Sequence, residues 1–189
     1  MYRQFIMTRR ALFGCLLAVV LAVPPVVVEA QTPAEAEAAS VVWVVRHAER
    51  TDDGMEHQPD PDLSDAGHAR AQALARLLSD AGITAVYSTP YARTRQTAAP
   101  LAEALGLPVA EYDPGDARAM EAFVGGLRAP GHHVVVGHSN TTPALVQALG
   151  GDPVSPIATL EYDRLYVVTI GPDGTVSSSL LRFGAPAGG

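Results

Sequence analysis

The stretch Val41-Val42-Trp43-Val44-Val45-Arg46-His47 decides how this chain is read. Its first five residues form a continuous apolar run with no polar alternation. Such a run fits a strand buried on both faces, as the strands of parallel sheets are. The run stops abruptly on a guanidinium and an imidazole. A buried strand that ends on two polar, chemically capable side chains predicts a site at the edge of a sheet.

Downstream, strand and helix signals alternate. Residues 51–62 are acidic and carry Gly54, Pro59 and Pro61, which marks a loop. Ser64 is placed to cap a helix over Ala66–Ser79, whose Leu74, Leu77 and Leu78 read as core on an Ala-rich face. Ile83–Tyr87 reads as a strand, and Ala92–Leu105 as a helix ended by Gly106. Pro108–Tyr112 reads as a short strand, and Asp116–Leu127 as a helix with an aspartate cap. His133–Val136 is a strand, and Thr141–Leu149 a helix stopped by Gly150-Gly151, with Leu145 and Leu149 in the core. Arg164–Ile170 and Val176–Leu181 are strands joined by a Gly-Pro-Asp-Gly turn. This alternation predicts one α/β layered domain with a mainly parallel sheet. No internal repeat is visible.

Upstream, residues 1–30 read as a signal peptide. Arg3, Arg9 and Arg10 precede an uncharged aliphatic stretch from Ala11 to Val23, and Val28-Glu29-Ala30 offers a cleavage site before Gln31. Thr8 to Phe13 resembles a twin-arginine signal. Pro24-Pro25 interrupts the apolar run, which argues against a membrane-spanning helix and for a periplasmic or secreted product. An uncleaved N-terminal anchor is the other reading. Residues 31–40 read as a flexible lead-in, and the domain proper as 41–189.

Composition narrows the chemistry further. The chain of 189 residues is 48% hydrophobic and 17% charged, enough for a packed core. Its one cysteine, Cys15, excludes a disulfide framework or a thiolate zinc site. All 13 cationic side chains are arginines, so Schiff-base and P-loop lysine mechanisms are excluded. Without residues 1–30 the chain holds 10 arginines against 19 acidic residues. No basic stripe remains, which speaks against nucleic acid as a partner. An anionic ligand would have to be drawn by a local arginine cluster.

Three strand ends supply that cluster. Val41–Val45 runs into Arg46-His47, and His133–Val136 into Gly137-His138. Ile83–Tyr87 ends in Ser88-Thr89-Pro90, with Arg93 in the first turn of the following helix. In open parallel sheets ligands bind beyond the carboxyl ends of the strands. Helix N-termini attract anions, and a guanidinium there offers a planar fork to phosphate oxygens. Gly137-His138-Ser139-Asn140-Thr141 lacks the second glycine of a serine nucleophile elbow. Ser139-Asn140 instead opens a helix whose N–H groups can lie near a phosphate. Arg95 reads as a surface residue turned from the pocket. His57, His68, His132 and His133 lack metal-ligand spacing and read as solvated or helix-surface residues.

These segments resemble the histidine phosphatase superfamily, also called phosphoglycerate mutase-like. Arg46-His47-Ala48-Glu49 is similar to its Arg-His-Gly-Glu signature. Ser88 to Thr97 is similar to its second-arginine segment, and Val136-Gly137-His138 to its second-histidine segment. All three occur in the family's order from Val41 onward. The resemblance implies a three-layer sandwich with a mainly parallel central sheet flanked by helices. It implies a phosphoric monoester hydrolase that needs no metal or other cofactor, with His47 as the nucleophile that becomes a phosphohistidine. Arg46, Arg93 and His138 would hold the phosphoryl oxygens, and neighbouring arginines should keep His47 neutral.

Departures from the family pattern qualify the resemblance. Ala48 stands where glycine is common, Arg50 where the mutase branch carries a small hydroxyl residue, and Asp53 where an asparagine is usual. With the short chain, they argue for the small single-domain branch and against a glycolytic mutase. Arg50 is a candidate phosphate ligand or a partner of the acidic loop, and Ser139 a further phosphate-binding candidate. The family's proton donor to the leaving group is a carboxylate. Asp113 is preferred here, with Glu111, Glu161, Asp163 and Asp53 as rivals. The expected ligand is a small phosphorylated substrate or inorganic phosphate. A non-catalytic phosphate-ligand or phosphoprotein binding module and a protein phosphohistidine phosphatase are the competing readings, and export argues against the last.

Overall fold

A computed structural model of the protein describes residues 39–53 and 58–186. The signal-peptide reading of 1–30, nearly all of the lead-in, Cys15 and His57 lie outside them.

Six strands form one sheet: β1 (Ser40–Arg46), β2 (Ala85–Ser88), β3 (Val109–Glu111), β4 (Gly131–Gly137), β5 (Arg164–Ile170) and β6 (Val176–Arg182). Their spatial order is β3-β2-β4-β1-β5-β6. β3, β2, β4 and β1 run parallel to one another, β5 pairs antiparallel with β1, and β6 pairs antiparallel with β5. The sheet is mainly parallel, as expected, and becomes mixed at one edge, where β5 enters antiparallel to β1 and the hairpin at Gly171–Gly174 turns β6 back on β5. Gly174 takes a φ of 81° there, a conformation glycine adopts without a Cβ penalty.

Among the described residues, four helices cover the sheet: α1 (Asp65–Leu78), α2 (Ala92–Leu105), α3 (Ala117–Leu127) and α4 (Thr141–Ala148). Ser64 caps α1 by accepting from the Gly67 amide, and Asp116 caps α3 by accepting from Ala119. Gly106 ends α2 in the left-handed conformation, at φ 65°.

The pleat of β1 explains its uninterrupted apolar run. Val42 and Val44 enter a cluster with Leu127 of α3 and Leu145 of α4. Val45 enters the opposite cluster with Leu74, Leu78, Ala98 and Leu101 of α1 and α2, and Trp43 packs against that side. β4 divides likewise, with Val135 on one face and Val134 and Val136 on the other. Both faces of the central strands are thus covered, giving the three-layer sandwich. Each such buried side chain is worth about 1.5–3 kcal/mol.

Two expectations fail. Leu77 is 50% exposed, because it lies off the Leu74–Leu78 stripe that faces the sheet. His133 is buried rather than solvated. β4 begins two residues earlier than expected and carries His133 inside the sheet, opposite Ala85 and beside the Tyr87 ring.

Glu49 ties the strand-end segment to the rest of the fold. Arg70 on α1 forks onto the Glu49 carboxylate and donates to the carbonyls of Phe183 (2.8 Å) and Ala185 (3.0 Å). α1 passes so close to this segment that a Cβ on Gly67 would lie 2.2 Å from the Glu49 carbonyl oxygen.

Candidate active site

The parallel register of β1 and β4 sets the site. Arg46 lies opposite Gly137, so His47 and His138 leave the sheet side by side. The His47 amide donates to the Gly137 carbonyl at 2.9 Å, and the two imidazole rings meet edge to face at 5.5 Å. β2 is paired to β4 through Ser88 and Val136, which brings Thr89 and the N-terminus of α2 to the same edge. A cleft of about 620 Å³ opens there. Arg46, His47, Arg50, Arg93, Asp113, His138 and Ser139 all line it, so residues from Arg46 to Ser139 converge on one cleft.

His47 is 4% exposed and its Nδ1 lies 2.8 Å from the Ala48 carbonyl oxygen. A carbonyl can only accept, so Nδ1 carries the proton and Nε2 keeps its lone pair. Burial pushes the pKa of His47 down from 6.5 to about 2; the charges of Arg46, His138 and Arg93 add to this, and the Ala48 bond opposes it. The ring is therefore neutral, with a basic nitrogen held in one orientation.

Arg46 is nearly buried. Its Nη1 donates to the carbonyls of Ala158 and Glu161, both at 2.9 Å, and its guanidinium lies 4.0 Å from the centroid of the Tyr162 ring. Tyr162 donates its hydroxyl to Asp53 at 2.7 Å. Asp53 also accepts from the amide and Nε of Arg50. Arg50 thus lines the cleft while paired with Asp53 of the acidic loop.

Arg93 stands at the start of α2, with Nη1 3.3 Å from Asp60 Oδ1 and its guanidinium over the Tyr91 ring. Asp60 also accepts from the Ala92 amide, in effect capping a helix whose own N-cap residue, Tyr91, makes no capping bond. The Nε atoms of Arg46 and Arg93 are buried without a hydrogen-bond partner among the described residues. The fold thus leaves cationic donors unsatisfied beside the cleft.

His138 has its Nδ1 3.5 Å from Arg93 Nη2 and its Nε2 2.9 Å from Thr89 Oγ1. Burial lowers its pKa to about 4, helped by Arg93 and Arg46 and opposed by Asp60. The His138 amide donates to Thr141 Oγ1, which fixes the turn into α4. Gly137 is required in that turn, since a Cβ would lie 2.7 Å from the Thr141 hydroxyl.

Of the five carboxylates considered as proton donor, Asp113 alone lines the cleft. It is exposed and accepts from the Gly115 amide at 2.8 Å. Glu111 pairs with Arg95 on the surface, where Arg95 was expected. Glu161 and Asp163 are held by arginines, and the Arg164 bond lowers the pKa of Glu161 to about 2. Asp53 is committed to Tyr162 and Arg50. Sequence reading missed Tyr162, Asp60 and Thr89. Asp60 sits in a loop with no motif, and Tyr162 lies 109 residues beyond the aspartate it binds.

Such a site can deliver a nitrogen lone pair to an electrophile whose negative oxygens the guanidiniums hold. A family model described as histidine phosphatase superfamily (branch 1) matches residues 42–115. No curated protein matches the chain by sequence. Solved structures share its fold. The protein histidine phosphatase SixA complexed with tungstate is 22% identical, with a TM-score of 0.59 over 77% of this chain and 97% of that one. A phosphoglycerate mutase from Bacillus anthracis is 13% identical, with a TM-score of 0.61 over 78% and 95%. A mycobacterial glucosyl-3-phosphoglycerate phosphatase with inorganic phosphate is 17% identical, with a TM-score of 0.53 over 78% and 98%.

Proposed function

We propose that this chain is a member of the histidine phosphatase superfamily and an exported phosphatase that hydrolyses phosphomonoesters through a phosphohistidine on His47. One observation carries the reading. The Ala48 carbonyl accepts a hydrogen bond from Nδ1–H, so Nε2 keeps its lone pair on a ring that lines the cleft with Arg46, Arg93 and His138. The solved relatives complexed with tungstate and with inorganic phosphate support a small phosphorylated ligand.

The steps follow from the residues present. Arg46, Arg93 and His138 bind the equatorial oxygens of the phosphoryl group. His47 Nε2 forms a bond to phosphorus as the bond to the leaving oxygen breaks, and protonated Asp113 gives that oxygen its proton. Water then attacks phosphorus, Asp113 takes the water's proton, and the N–P bond breaks to release inorganic phosphate and neutral His47. The guanidiniums supply the positive charge that a metal ion supplies in other phosphoryl-transfer sites. Export rests on the arginine, aliphatic and small-residue pattern of residues 3–30.

Purified protein is expected to hydrolyse an aryl phosphate with chelator present and to lose turnover as His47→Ala. Retained activity in that variant would sink the mechanism. Recovery of the exported protein beginning at Gln31 would support cleavage, and full-length protein in the membrane fraction would oppose it.

A further inference from the structure

Behind His138 lies a buried chain of hydroxyls that the reaction scheme does not use. His138 Nε2 is 2.9 Å from Thr89 Oγ1, and Thr89 Oγ1 is 2.8 Å from Thr94 Oγ1. Thr94 Oγ1 is within 2.8 Å of the Tyr91 carbonyl oxygen and 3.0 Å of the Thr89 carbonyl oxygen. Both threonines are fully buried. No water exchange is available to such groups, so each must be satisfied by its neighbours.

The inner end of the chain fixes its direction. The Tyr91 and Thr89 carbonyls can only accept, so the single Thr94 proton is drawn to them. Thr94 then accepts from Thr89, and Thr89 is left to accept from His138. At the other end the Arg93 guanidinium can only donate, which suits an unprotonated Nδ1. The Thr89 contact, at 2.9 Å, selects the tautomer with the proton on Nε2, and the longer 3.5 Å contact to Arg93 is compatible with that tautomer but too weak to impose it. If the chain ran the other way, an Nδ1–H would point at the Arg93 guanidinium.

We infer that Thr89 is a positioning residue that holds His138 as the Nε2–H tautomer and keeps Nδ1 as its sole site of proton exchange, turned to Arg93 and the cleft. Thr89 Oγ1 accepts from Nε2–H whether the ring is neutral or protonated. His138 can therefore gain a proton on Nδ1 and donate it to a phosphoryl oxygen without any hydrogen bond behind it being remade. That constancy limits the reorganisation needed as charge develops on the ligand. The charged groups facing His138 are Arg93 of α2, Arg46 of β1 and Asp60 of the acidic loop, with neutral His47 beside it.

The tautomer claim stands on geometry alone, and its kinetic consequence rests on the phosphatase reading. Imidazole nitrogen resonances of ligand-free protein, assigned with His138→Gln, test the first part. His138 is expected as one tautomer, protonated at Nε2, in the parent and in Thr89→Ser, and as a mixture in Thr89→Val. The Thr89→Val protein should lose about tenfold in kcat/KM, the worth of one hydrogen bond to a charged group, with Thr89→Ser restoring most of it. Should Thr89→Val fail to fold, Thr94→Val frees the Thr89 proton to turn towards Nε2 and should give the same mixture. An unchanged tautomer in the folded valine variant would overturn the inference. A parent protein that shows the Nε2–H tautomer but no turnover would instead count against the phosphatase reading.

Discussion

Arg46 rests on the ring of Tyr162, 4.0 Å from its centroid, and the Tyr162 hydroxyl is held in turn by Asp53 at 2.7 Å. Ring and hydroxyl are separable. Tyr162→Phe keeps the surface under Arg46 but removes a hydrogen bond to a carboxylate, and should lower stability by about 1.5–3 kcal/mol with phosphate affinity little changed. Tyr162→Leu removes both and should also weaken phosphate binding. Urea unfolding and phosphate titration calorimetry on the two variants measure this. Equal phosphate affinities would show that the ring does not position Arg46.

Asp113 should matter in proportion to how badly the leaving group needs a proton. Asp113→Asn is expected to slow hydrolysis of an alkyl phosphate by about 10²–10⁴, while an activated aryl phosphate, whose phenolate leaves unaided, is hydrolysed almost as before. Steady-state kinetics on both substrates decide it. An equal loss on both would assign Asp113 a binding or structural role.

Two glycines predict opposite outcomes. A methyl on Gly67 meets the Glu49 carbonyl at 2.2 Å, so Gly67→Ala should destabilise by about 2–3 kcal/mol or distort the strand-end segment. Gly125 lies within α3 with nothing near its missing Cβ, and Gly125→Ala should stabilise by about 0.5–1 kcal/mol. Thermal unfolding of both variants checks the close approach of α1 to the signature segment.

Both site histidines have folded-state pKa values below their ordinary 6.5, at about 2 for His47 and about 4 for His138. The unfolded chain therefore binds protons first as pH falls. Stability is complete above pH 6.5 and declines below it, at up to about 1.4 kcal/mol per pH unit for each histidine. Between pH 6.5 and 5 ordinary carboxylates stay ionised in both states, so the fall belongs to histidines, buried His133 among them, and the His138→Gln variant separates the share of His138. Urea midpoints should fall across that range, and His138→Gln should flatten the fall. Parallel curves for parent and variant would contradict the burial described here.

The sequence revealed what local pattern controls. The run 41–45 foretold a strand covered on both faces, and three strand ends foretold where Arg46, His47, Arg93 and His138 would meet. Long-range returns of the chain were not legible. Tyr162 supports Arg46 from beyond α4, and Asp60 caps α2 from an acidic loop whose composition says only that it is solvated. Thr89 reads as an ordinary turn residue before Pro90 until β2 and β4 pair and bring it behind His138. Leu77 misled because three leucines in five residues suggest one face, whereas helical geometry turns one of them outward.

The central claim is that His47 Nε2 becomes covalently bound to phosphorus. Phosphohistidine survives alkaline quenching, so the direct measurement is intact and peptide mass analysis of protein mixed with an aryl phosphate and quenched in base within the first turnover. One phosphoryl group on His47, absent from His47→Ala, is the result expected. Turnover with no adduct during the first cycle, or an adduct on His138 instead, would contradict it.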